Sequence, residues 1–122
     1  VLRLWSHGSS GGQGVSTGFP DARFGVRGQR AGISQSSLPD ISIDIQRLAP
    51  YFSKRGRLEL RGCSVGVGDD GPKLMRALAE LIGTDVYAAL NAQPIGPIQW
   101  AGPVVRMRPD GSSTTGSGPD IR

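Results

Sequence analysis

Residues that usually carry covalent and metal chemistry are scarce in this chain: 122 residues include one cysteine, Cys63, and one histidine, His7. A single cysteine excludes an internal disulfide framework, and one Cys with one His cannot supply the four ligands of a structural zinc site. No apolar run approaches the ~20 residues of a membrane span. Nor does a basic start followed by an apolar stretch and a small-residue cleavage site mark a secretory signal. Charge of one sign is also in short supply. Lys and Arg total 14 against 10 Asp and Glu, a net charge of +4 spread along the chain, which gives a mild pull toward anions rather than a nucleic-acid footprint. Only Arg23, Arg27 and Arg30, and the Lys54-Arg55-Gly56-Arg57 group, are locally dense; the latter reads as the solvated, cationic end of a helix. Nothing implies a cofactor. The length suits one domain with one hydrophobic core.

Period and punctuation predict four strands, over about 1–7, 58–65, 85–91 and 104–108. Between the first two lies a glycine- and serine-rich stretch, 8–37, which cannot bury enough apolar surface to be core and reads as a long loop or a partly disordered segment, of a length that is usually functional. Ile41, Ile45, Leu48 and Phe52 fall at helical spacing, with the helix kinked or restarted near Pro50, because proline costs a helix interior about 3 kcal/mol. The clearest helix runs from Asp69 to Ile82. Asp69 or Asp70 is placed to cap it, Pro72 suits its first turn, Gly83 its left-handed stop, and Leu74, Met75, Leu78, Leu81 and Ile82 form its apolar stripe. From Pro109 the composition is that of a frayed end, with 112–122 a flexible tail and 1–111 the domain. Strand and helix in alternation indicate an α/β fold with a mostly parallel sheet.

Strand parity adds a constraint. If the first two strands are parallel neighbours with His7 beside Cys63, then Arg3 faces Glu59 and Trp5 faces Arg61 on one side of the sheet. One sheet face is then apolar and the other charged, so the charged face is either partly wet or covered by residues outside this chain.

A cysteine attacks carbonyl carbon well once a neighbouring imidazole takes its proton, and the imidazole can later protonate the leaving amine. His7 and Cys63 each end a predicted strand, where ligands bind in open α/β sheets. Gly8 and Gly62 bare the backbone beside them, and the amides of Gly8 and Cys63 are candidates for an oxyanion site. Asp69 and Asp70, just beyond, could attract a basic substrate residue. At Ser6-His7-Gly8 and Gly62-Cys63 the sequence resembles the caspase-like cysteine peptidases, in which the cysteine follows the histidine by ~50 residues. The pattern Gln-Ala-Cys-x-Gly of caspases is here Arg61-Gly62-Cys63-Ser64-Val65, so their aspartate specificity is not implied. More closely, the sequence is similar to uncharacterised bacterial caspase-like domains of large surface or secreted proteins. The likeness runs through Leu58 to Gly66, Gly71, Leu74 to Gly83, Asp85 to Ala89, Gln93, Trp100-Ala101-Gly102-Pro103 and Arg108-Pro109-Asp110-Gly111. It implies a three-layer caspase-like sheet lacking that fold's first two strands, a secreted or cell-surface setting, and a peptide or protein substrate, other segments of the parent chain included.

Two other readings stand beside this. Cysteine is among the most often buried residues, so the same fold could serve as an inactive interaction domain. Gly66-Val67-Gly68-Asp69-Asp70-Gly71 is a literal G-x-G-x-x-G between strand and helix, which would suit nucleotide binding. Against that, Asp69 and Asp70 set negative charge where pyrophosphate would sit, and Asn91 and Gln93 occupy the region of the expected acidic ribose partner.

Overall fold

Alternating apolar residues build the central sheet. In the computed structural model, which describes residues 1–15, 32–94 and 99–117, the strands are β1 (Leu2–Leu4), β2 (Gly8–Ser9), β3 (Gly12–Gly14), β4 (Gly32–Ser34), β5 (Arg57–Leu60), β6 (Asp85–Ala89), β7 (Pro103–Met107) and β8 (Ser113–Ser117). The helices are α1 (Leu38–Gln46) and α2 (Asp70–Ile82), with a 3-10 turn at Ala49–Tyr51. Five strands form one sheet in the order β1-β5-β6-β7-β8, and β2-β3-β4 form a small antiparallel sheet. Leu58, Leu60, Val86, Ala88, Val105 and Met107 point to one face of the large sheet. There they meet Leu74, Met75, Leu78, Ala79 and Ile82 of α2 and Leu38 and Ile45 of α1, each large side chain contributing about 1.5–3 kcal/mol by burial. Among the described residues no helix is long and apolar enough to cross a membrane.

The expected caspase-like three-layer, mostly parallel sheet is not what forms. β1, β5 and β6 are parallel, but β7 and β8 run antiparallel, so the sheet is mixed. A parallel neighbour needs a crossover, usually a helix, and the sequence between Ala89 and Pro103 has Pro94, Gly96 and Pro97 and no helical period to make one. Nor is there a third layer among the described residues, since both helices share one core on one face. The four predicted strands occur in place, the first three shorter than expected and the fourth of the expected length but one residue earlier. The 8–37 stretch is not loop throughout, because Gly8–Ser9, Gly12–Gly14 and Gly32–Ser34 pair as strands; Arg23, Arg27 and Arg30 lie outside the described residues. Ser113–Ser117, assigned from composition to a flexible tail, pairs with β7, and 118–122 lie outside the described residues.

Local chemistry accounts for the helix ends. Proline halts α1 and the chain restarts as the Ala49–Tyr51 turn, with Pro50 in its first positions. Gly83 closes α2 at φ 66°, its amide donating to Ala79 O at 2.9 Å. The expected aspartate cap does not form: Asp69 sits at the N-cap position without a side-chain bond. The β7–β8 hairpin turns at Asp110-Gly111, where Gly111 takes φ 88°. The Asp110 carboxylate accepts from the Ser112 hydroxyl at 2.6 Å and its amide at 2.8 Å, which holds that carboxyl below its usual pKa.

The second sheet face carries charge, as parity requires. Glu59, 1% exposed, takes Arg3 Nε at 3.0 Å and Arg61 Nε at 2.8 Å on one oxygen and Arg57 Nε at 2.7 Å on the other. The Arg61 guanidinium lies 4.9 Å from the Trp5 ring centre and 3.7 Å from that of Trp100. Burial pulls the Arg61 pKa below its usual value, Glu59 opposes that shift, and Arg3 and Arg57 add to it. Removing one member of a buried ion pair strands the other, at about 3–5 kcal/mol. Glu59→Gln is therefore expected to lower the unfolding free energy by about 3 kcal/mol in urea titration, whereas Asp44→Asn, in an exposed pair with Arg47, leaves the midpoint unchanged.

Candidate functional site

The parallel pairing of β1 and β5 delivers both candidate residues to one end of the sheet. Leu4 and Leu60 are in register, and Arg61 N–H extends the ladder to Leu4 O at 2.9 Å. Beyond this point the two backbones touch. A Cβ built on Gly8 would stand 2.8 Å from Gly62 Cα, and one on Gly62 2.8 Å from Gly8 Cα, so no side chain fits at either position. Ser6-His7-Gly8 and Gly62-Cys63 thus meet through their glycines, with His7 and Cys63 as their immediate neighbours.

The turn after β5 is hung from the end of β6. Ser64 N–H donates to Asn91 O at 3.0 Å and Gly66 N–H to Ala89 O at 2.9 Å. Ser64 takes φ 55°, a left-handed conformation that costs a non-glycine residue about 1–2 kcal/mol. Cys63 is half-buried. Its Sγ accepts from Gln93 N–H at 3.3 Å and lies 3.7 Å from Gln93 O. Gln93 is itself fixed by Ala101, whose amide donates to Oε1 at 2.9 Å and whose carbonyl accepts from Nε2 at 2.7 Å.

His7 is exposed and lines a cavity of about 450 Å³ with Ser9, Ser10, Gln13, Gly14 and Ile33. Cys63 is not in that wall, and among the described residues its thiol bonds to Gln93 and not to the His7 ring. Backbones are brought together here, whereas no hydrogen bond joins the His7 and Cys63 side chains among the described residues. Of the two candidate oxyanion donors, Gly8 stands opposite Gln13. The flanking bond from Gly14 N–H to His7 O at 2.7 Å makes that a non-hydrogen-bonded pair, so β3 leaves the Gly8 amide unclaimed. The Cys63 amide has no backbone acceptor among the described residues.

Asp69 and Asp70 are exposed at the start of α2, on the Cys63 side of the sheet, where Asp70 in the first turn suits the helix dipole. The glycines of the G-x-G-x-x-G are taken up by packing. A Cβ on Gly71 would meet Gly66 carbonyl carbon at 2.4 Å, and Gly68 takes φ 71°. The β2–β3 hairpin covers the same turn, with Gly11 N–H on Val65 O at 3.0 Å and Ser10 Oγ on Val67 O at 2.6 Å.

Two supporting residues escaped the sequence reading as members of the site. Gln93 holds the thiol. Gln13, 1% exposed, accepts from Gly62 N–H at 2.8 Å and donates to Gly14 O at 3.1 Å, so one amide ties the hairpin after His7 to the residue before Cys63. Its only signal is local: it is the one long polar side chain between Gly8 and Gly14, among glycines and serines.

Residues 25–102 match the family described as a Domain of unknown function (DUF4347). The chain belongs to this family. Within this DUF4347 chain the match takes in Cys63, Asp69, Asp70, Gln93 and Trp100 and begins after His7, Gly8 and Gln13. No curated protein and no solved structure matches the chain.

Leaving a buried amide without its acceptor costs about 1–3 kcal/mol. Gln13→Ala in this DUF4347 domain is expected to lose about that much in urea unfolding and to accelerate hydrogen exchange at the Gly62 amide more than at amides of β6.

Proposed function

We propose that the domain hydrolyses amide bonds of a peptide or protein substrate, with Cys63 as nucleophile and His7 as base and then acid. The observation that carries this reading is the Gly8–Gly62 backbone contact, which brings together the residues adjoining the one histidine and the one cysteine beyond the ends of β1 and β5. Ser64 in a left-handed conformation directly after Cys63 supports it, since such conformations concentrate at functional turns. In the proposed cycle His7 accepts the thiol proton and sulfur attacks the substrate carbonyl carbon. The Gly8 and Cys63 amides receive the developing oxyanion. His7 then protonates the leaving amine as the C–N bond breaks, giving a thioester. Water, deprotonated by His7, hydrolyses that thioester and releases the carboxylic acid and the thiol. To begin, the thiol exchanges its bond to Gln93 for one to His7, a tightening common when apo sites take substrate. Asp69 and Asp70 favour a basic side chain in the bound peptide.

The rival reading, an inactive interaction domain, is favoured by the same Cys63–Gln93 bond, which leaves the thiol structurally engaged. Alkylation separates the two. If the dyad operates, iodoacetamide labels Cys63 at pH 7 faster than a free thiol, and His7→Ala slows labelling about tenfold. Equal, slow labelling of both proteins establishes the inactive domain. Against a peptide library containing Lys and Arg, Cys63→Ala is expected to abolish cleavage and His7→Ala to reduce kcat/KM by about 10²–10⁴.

A further inference from the structure

Four basic side chains converge on a cavity at the opposite end of the parallel strands from Cys63. It has a volume of about 400 Å³, and its walls include Lys54, Arg55, Arg57, Asp85, Tyr87 and Arg106. Arg57 and Asp85 begin β5 and β6, whereas Cys63 follows the far end of β5.

Two of these cations are held in place before any ligand arrives. Arg57 Nε donates to Glu59 at 2.7 Å, and its guanidinium lies 5.4 Å from the Tyr87 ring centre. Arg106 Nε donates to Asp85 Oδ2 at 2.7 Å. Each bond engages one edge of a planar, five-donor fork and leaves donors on the rest of it. The loops at the cavity mouth are tied together as well, by a hydrogen bond from Thr84 Oγ1 to Gly56 O.

Charge around the cavity does not balance. Glu59 is shared among Arg3, Arg57 and Arg61, and Asp85 answers Arg106. Lys54 and Arg55 are exposed, and neither is a member of any ion pair among the described residues. The walls therefore carry fixed forks, two flexible cations and an excess of positive charge. A planar carboxylate engages one fork, whereas a tetrahedral oxyanion of charge near −2 presents oxygens to several donors at once.

We propose that this cavity binds a small, soluble phosphate or phosphoester, with Lys54 and Arg55 closing on an anion oriented by Arg57 and Arg106. Concavity and the want of an exposed large apolar residue in its walls favour a soluble ligand over a membrane surface. The site is separate from Cys63 and its test reads binding alone.

Titration calorimetry with inorganic phosphate and pyrophosphate in chloride buffer at fixed ionic strength separates specific binding from screening. The expected result is saturable 1:1 binding, weakened about tenfold or more in Lys54→Ala/Arg55→Ala and unchanged in Arg47→Ala, which alters an exposed cation just after α1. Circular dichroism verifies that the variants are folded. Absence of saturable binding overturns the proposal. So does binding that the double variant leaves intact, or that Arg47→Ala weakens equally. Association with vesicles containing phosphoinositide, without binding of the soluble anions, overturns it in favour of a membrane site.

Discussion

A single carboxylate organises the charged face of this domain. Glu59 is taken out of water on β5, an interior strand of the sheet, a step that is tolerable because three guanidiniums meet it, each through Nε. The consequence reaches across the sheet: Arg3 ties β1 to β5, Arg57 lies over Tyr87 of β6, and Arg61 inserts between Trp5 and Trp100. Two indole rings and a guanidinium take the place of a helical layer. Beside these groups the face buries a small cluster of Tyr87, Ala89, Trp100 and Val104, and among the described residues both helices pack on the other side. Among the described residues the fold is thus two layers, with Glu59, Arg61, Tyr87 and Trp100 buried on the face away from the helices.

The candidate site depends on a different constraint, the mutual approach of two glycine backbones. Gly8 and Gly62 let β1 and β5 run on into touching turns, while Gln13 and Gln93, both amides, fasten those turns at Gly62 and Cys63. Gln13 binds backbone to backbone. Gln93 binds the thiol and is itself clamped by Ala101. The two candidate side chains are consequently held unequally: the Cys63 thiol is fastened to Gln93, whereas His7 is exposed.

Much of this was legible in the chain. Alternation in Leu58-Glu59-Leu60-Arg61 and in Leu2-Arg3-Leu4-Trp5 predicts the shared charged face, and both the Arg3–Glu59 bond and the Trp5–Arg61 stacking are present. The Leu74-to-Ile82 stripe and the Gly83 stop are equally direct. What resisted reading has physical causes. Strand direction is not encoded in side-chain alternation, so Val104 to Met107 fits a parallel or an antiparallel neighbour alike, and the mixed sheet was missed. Glycine and serine have no side-chain period, so β2, β3 and β4 resemble linker until their backbone bonds are seen. Ser113–Ser117 suffers the same ambiguity, although Asp110-Gly111 before it is a hairpin signal. Side-chain torsions decide whether His7 meets Cys63, and no spacing in the sequence specifies them.

The Arg3–Glu59 bond spans 56 positions of chain, whereas α2 follows β5 closely and β6, β7 and β8 follow one another through short or moderate connections. Closing so large a loop costs roughly 3–4 kcal/mol of chain entropy before any contact rewards it, so the C-terminal meander is favoured to assemble early and the N-terminal ribbon to dock late. His7 rides on that ribbon. The order of assembly therefore leaves the His7 side of the candidate site as the last to arrive and, in a folded molecule that breathes, the first to depart.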